Sequence, residues 1–275
     1  MAVYKIYLPK KKSIFNGFGV TINLIVINVI LYFVSLVLFG IYGKDFFLNN
    51  LALTPSLIIV GKSLWTLFTS MFMHGSFFHL FANMFSLFFI GTFLERIIGR
   101  KRFLWTYLIS GLVGGLFYIV ATMILGGTNV PAVGASGAIF GLLGVLAVLV
   151  PKSKIYLIVG PLILIVIEIL VVPLLPVSLA SVISVMVNIL IFVMIFSLLS
   201  FKASFRKIAV PVQLPMWLLP IVAIVPLAVI GLFVDLPIGN SAHLGGLIIG
   251  LIYGFYLRNK FPRKTAKLEK IFSRK

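Results

Sequence analysis

Long apolar runs separated by short polar or basic clusters recur along this chain. Eight runs stand out, at 18–40, 76–94, 103–125, 134–150, 155–175, 178–201, 214–234 and 241–257. A helix needs about 20 apolar residues to cross a bilayer, so the pattern predicts an all-α polytopic membrane helix bundle of about eight spans. The stretch 41–73 reads differently. Asp45, Asn49, Asn50, Pro55, Lys62 and Trp65 interrupt its apolar residues. It is expected to be an amphipathic outer loop partly sunk into the lipid surface, with Trp65 near the interface.

Charge supports the count. With the N-terminal Lys5, Lys10, Lys11 and Lys12 placed in the cytoplasm, eight crossings put Arg96/Arg100/Lys101/Arg102, Lys152/Lys154, Lys202/Arg206/Lys207 and the tail after Leu257 on that same side. Of 23 basic residues only Lys44 and Lys62 fall outside, as the positive-inside rule requires. Residues 1–17 then form a basic cytoplasmic N-terminus, 18–257 a membrane domain and 258–275 a basic cytoplasmic tail. The first run is too long for a signal-peptide core of about 7–15 residues, so it is expected to be a retained span.

Composition narrows the class further. Hydrophobic residues make up 61% of the chain, against roughly 45–50% in a soluble domain. The net charge of +18 lies in short clusters between apolar runs, which argues against a nucleic-acid surface. There is no cysteine, which excludes disulfides and thiolate chemistry.

The fourth and eighth runs are the shortest, at about 17 residues, and cover ~25 Å of a core roughly 30 Å thick. With their inner ends fixed by Lys152 and Arg258, their outer ends start below the outer surface, near Ser136 and His243. Non-helical backbone at that depth is tolerated only in protein or beside water, so an outward-opening aqueous pocket is expected. Ser136 is a weak nucleophile until a base takes its proton. His243 is the candidate base. Its run carries Gly246, Gly250 and Gly254, a seam for close helix approach, and the Ser136 run answers with Gly137, Gly141 and Gly144. His79 and Asn83, at i and i+4, share a helix face. With the Ser136 amide they could hold a developing oxyanion. His74 is expected above His79 in the loop, bracing the site or only the loop. Asp235 lies in a Pro/Gly loop, so a Ser–His dyad is favoured over a triad.

The motifs Gly134-x-Ser136-Gly137, His79-x-x-x-Asn83, the upstream His74, and Ala242-His243-x-x-Gly246-x-x-x-Gly250 resemble those of the rhomboid family of intramembrane serine proteases, of prokaryotic type. The resemblance runs from about Trp65 to Val150 and from Pro215 to Tyr256. It implies a six-helix core, Ser136 as nucleophile, His243 as base, and His79, Asn83 and the Ser136 amide as oxyanion hole. It also implies no cofactor and no metal, a prokaryotic cell membrane, and cleavage of single-span transmembrane protein substrates near their outer ends. Phe140 matches an aromatic position that packs under the base. The chain departs from the family in two places. Trp65 is followed by Thr66 rather than Arg, and 155–201 reads as an inserted helix pair. An even number of extra spans keeps His243 facing outward. Glu168 within the insertion is expected to pair with Asn188 or stay protonated, because an acid in lipid is costly.

Rival readings are thin. No His-Glu-x-x-His cluster supports a metalloprotease. Asp45 and Asp235, both in loops, do not make an aspartyl dyad. A secondary transporter would carry broken helices or repeats, with Glu168 its best residue. A non-catalytic rhomboid-like binding protein is the third reading.

Overall fold

The computed structural model of the chain describes residues 19–197, 207–230 and 239–272. The basic N-terminal stretch through residue 17, Lys202, Arg206 and Asp235 lie outside the described residues. The chain divides into two compact units, one of residues up to 152 with 217–274, the other of residues 153–216.

In the first unit, α1 spans Val20–Asn50, with a break at Gly43 (φ 79°, ψ −175°). The helix therefore runs ten residues beyond the expected first span and takes up the start of the stretch assigned to an outer loop. Glycine at Gly43 reaches a positive φ without a Cβ clash, which lets one apolar helix hand over to a second, more polar one. The rest of that stretch forms two short helices, α2 (Pro55–Ile59) and α3 (Thr66–Thr69). The exposed Trp65 donates its indole N–H to Asn50 O at 2.9 Å.

The second run folds as α4 (Phe77–Ser86), a π turn over Leu87–Gly91 and α5 (Thr92–Ile98). Next come α6 (Arg100–Leu125) and α7 (Ser136–Leu149). After the second unit the chain continues through α10 (Leu219–Ile230), with Pro226 inside it, α11 (Asn240–Lys260) and α12 (Pro262–Phe272). The 21-residue α11 exceeds the short final span expected, because the helix continues through Arg258 into its polar end. Much of the expected basic tail is helical too. α12 buries Thr265 and Leu268 and sets Phe272 edge-on to Phe93 at 5.1 Å.

Interlocking glycines hold α6, α7 and α11 together. A Cβ on Gly246 would lie 1.9 Å from Gly137 O, and one on Gly250 would lie 2.0 Å from Gly141 O. No side chain fits there, so the α7 and α11 backbones touch directly. Gly114 of α6 closes the third side, where a Cβ would meet Ala242 O at 2.7 Å. The start of α1 is fixed to α5. Val20 and Thr21 donate their amide N–H groups to the two carboxylate oxygens of Glu95 at 2.9 Å each. A carboxylate from another helix thereby satisfies orphan donors at a positive helix end.

The second unit contains two helices within 155–201, as expected, but the start of the first and the start of the run at 214–234 need correction. Residues 155–158 and 214–215 are not helical. They belong to β1 (Lys154–Ile158) and β2 (Pro211–Pro215), which pair antiparallel with Ile155 opposite Leu214 and Leu157 opposite Val212. Short apolar runs with β-branched and aromatic residues suit either element, and the prolines at both ends of β2 remove donors a helix would need. The helices of this unit are α8 (Val159–Val171) and α9 (Val177–Ser197). Among the described residues five helices are long and apolar enough to cross a membrane, and α7 and the α8 region add two shorter apolar helices. The protein is an integral membrane protein of helical, polytopic construction.

Candidate active site

Ser136 is the first residue of α7. The turn before it is held from two sides. Gly134 donates its amide to Ser70 O at 2.8 Å, and Ala132 pairs with Leu53 in an isolated bridge. Gly134 has φ +129°, and a Cβ there would strike the His79 ring, 2.9 Å from Cε1 and Nε2, while lying 3.8 Å from Ser136 Oγ. Only glycine allows the imidazole of His79 to sit across the turn beside the hydroxyl.

His243 lies in the first turn of α11 and is 8% exposed. The glycine seam beneath it carries its helix against α7, and its Nε2 reaches 2.7 Å from Ser136 Oγ. With the imidazole proton on Nδ1, the hydroxyl donates to Nε2, the direction a general base requires. Nδ1 has no hydrogen-bond partner among the described residues. Phe140 packs against the imidazole face. Its ring stacks on His243 with centroids 4.4 Å apart and planes 17° apart.

His79 and Asn83 stand one turn apart on α4. Ser76 caps that helix, accepting from the His79 amide at 3.1 Å. Asn83 is buried and donates one amide hydrogen to His79 O at 2.9 Å. An amide nitrogen carries two hydrogens, so one remains for a ligand. His79 and Ser136 are half-buried, which leaves the hydroxyl reachable.

His74 precedes α4 and is 3% exposed. Its ring meets that of His79 edge-on at 5.1 Å. Burial, and after it the neighbouring His79, pushes its pKa down to about 3, so it is a neutral wall behind His79 at ordinary pH.

The structure thus brings Ser136, His243 and His79 together, with Asn83 on the His79 face and His74 behind it. Two contributors escaped sequence reasoning. Ser76 is readable as an N-cap three residues before His79. Ser70, whose carbonyl holds the Gly134 turn, leaves no mark in the sequence because the contact is made by backbone. Among the described residues no group of three or more His, Asp or Glu could hold a metal ion.

A serine hydroxyl hydrogen-bonded to an imidazole, beside further polar side chains, thus lies within a helical membrane protein. Comparison with known proteins gives the family. The Rhomboid domain matches residues 61–194 and 183–260, and the chain belongs to the Rhomboid family. It is 42% identical over 81 residues to the putative rhomboid protease YdcA of Bacillus subtilis, covering 30% of this chain and 39% of that protein. It is 42% identical over 93 residues to RHOMBOID-like protein 1 of Arabidopsis thaliana, covering 34% and 23%. It is also 33% identical over 90 residues to the inactive RHOMBOID-like protein 8 of that plant, covering 33% and 24%. The matches span about a quarter to two-fifths of these relatives' lengths. At the level of the family this is intramembrane protease homology, shared by proteins named as proteases and by one named as inactive.

Proposed function

We propose that the protein is an intramembrane serine endopeptidase. It hydrolyses peptide bonds of single-span transmembrane proteins near the non-cytoplasmic face, with both its own termini cytoplasmic. The observation that carries the reading is the 2.7 Å approach of His243 Nε2 to Ser136 Oγ across 107 residues of chain, in a family with members named as proteases.

The proposed reaction runs in two halves. Ser136 Oγ attacks the scissile carbonyl carbon while its proton passes to His243 Nε2. The carbonyl π electrons move onto oxygen, and the resulting oxyanion takes hydrogen bonds from the Ser136 amide, the His79 ring and the remaining Asn83 hydrogen. The intermediate collapses, the C–N bond breaks, and the imidazolium protonates the departing amine. Water then attacks the acyl ester with His243 again as base, releasing the acid and restoring the hydroxyl. Burial of His243 against Phe140 keeps the ring fixed through both halves. No cofactor takes part.

Residues 18–257 form the proposed membrane domain, with the pair within 155–201 as an insertion on a six-helix core.

The test is co-expression with a panel of single-span reporter proteins carrying tags on both sides of the membrane. Wild type should release a shortened fragment from at least one reporter, and Ser136→Ala, expressed to the same level, from none. Cleavage that persists in Ser136→Ala would overturn the reading.

A further inference from the structure

The second unit carries a polar group that the proposed chemistry does not use. Glu168 lies in the apolar helix α8. Ser184 Oγ and Asn188 Nδ2 of α9 both donate to one of its carboxylate oxygens, Oε1, the latter at 3.0 Å. The other oxygen, Oε2, has no hydrogen-bond partner among the described residues, and no Lys or Arg forms an ion pair with the group. Ser184 and Asn188 are the eighth and twelfth residues of a 21-residue helix, so the group stands near the middle of a span. An acid at that depth is costly and normally pairs with another polar group. Two donors to one oxygen meet part of the need and leave the other oxygen without a partner among the described residues.

Among the described residues nothing completes it. The chain's Lys and Arg residues lie between its apolar runs or at their ends, so none is carried at mid-span. A second copy of the chain would bring another acid at this position and no cation. The surface of α8 beside the group is open and apolar, with Ile167 40% and Val171 45% exposed. Apolar flanks with one under-coordinated carboxylate fit a particular occupant, a transmembrane helix that is apolar except for one basic side chain at mid-bilayer.

We infer that Glu168, held by Ser184 and Asn188, is a docking point for a partner transmembrane helix bearing a mid-span Lys or Arg. Charge complementarity selects the partner, and the exposed apolar side chains of α8 pack beside it. Binding here does not depend on the peptidase reading, since an uncleaved helix would dock equally.

The experiment uses the full chain with Ser136→Ala, so that the probe stays intact, reconstituted in liposomes with a donor fluorophore. The probes are synthetic acceptor-labelled Leu/Ala helices that differ only at the central residue, Lys or Leu. The Lys helix should associate on the order of tenfold more strongly than the Leu helix, the scale of a good interhelical polar contact in a membrane. Glu168→Gln keeps an oxygen to accept from Ser184 and Asn188, and should abolish the preference. A central-Glu probe should be preferred by Glu168→Lys. Equal association of the Lys and Leu helices with the unaltered Glu168 chain would overturn the inference, as would a Lys preference that survives in Glu168→Gln. If Glu168→Lys fails to fold, the two probes on the unaltered chain still decide. Association without this preference would identify the surface as a lipid-facing one.

Discussion

Asn83 has two amide hydrogens, and one is committed to His79 O at 2.9 Å. The other is its contribution to the proposed chemistry. Asn83→Ala should therefore lower kcat by about 10²–10³, the usual cost of one oxyanion donor, with little change in KM, whereas Ser136→Ala should remove activity altogether. Total loss in both, with folding intact, would contradict that division of roles. His74 acts on stability. Its pKa of about 3 when folded lies below the ordinary value near 6.5, so the unfolded chain binds its proton first. The stabilisation is complete above about pH 6.5 and is lost progressively as pH falls toward 3. Thermal unfolding in detergent at pH 7 and pH 5 should show wild type losing about 1–2 kcal/mol more than His74→Phe. An identical pH dependence in the two would show that His74 is not held neutral. At this scale the sequence was largely legible, because a His or Asn inside an apolar run is conspicuous. The deep burial of His74 was not, since it depends on packing between segments distant in sequence.

α7 and α11 meet through backbone, and that contact sets the distance between hydroxyl and imidazole. Gly246→Leu would place a side chain where even a Cβ comes within 1.9 Å of Gly137 O. The helices must separate, and a displacement of about 1 Å at a catalytic pair can cost 10²-fold in rate. Hydrolysis should fall by about that factor, with a lower unfolding temperature. Unchanged activity would show that the pair does not depend on this seam. Glycines four residues apart on two apolar runs made the seam readable. The β1–β2 pair was not readable, since each strand is five residues long and its partner lies over fifty residues away. Nor was the extent of α1. Gly43, Lys44 and Asp45 look like the end of a helix, and only the structure shows helix resuming after the Gly43 break.

The whole molecule comprises two units, and Ser136, His243, His79 and Asn83 all lie in the first. Trp217 donates its amide to Pro151 O at 3.2 Å, so the chain leaves the first unit and re-enters it at adjacent points. Replacing residues 153–216 by a short Gly/Ser linker should leave a membrane-inserted protein whose Ser136 still reacts. If the shortened chain inserts but Ser136 is inert, the second unit belongs to the catalytic machinery. The helical membrane class was legible from the period and length of the apolar runs alone. The separateness of residues 153–216 was only half visible, as two extra apolar stretches, because compactness depends on contacts distant in sequence.

The central claim is that His243 makes Ser136 a nucleophile. Fluorophosphonate labelling of the membrane-inserted protein, with the adduct mapped by mass spectrometry, tests it most directly. The account predicts a single adduct on Ser136 that disappears in His243→Ala while the fold persists. An adduct on another residue, no adduct on folded wild type, or undiminished labelling of Ser136 in His243→Ala would contradict it.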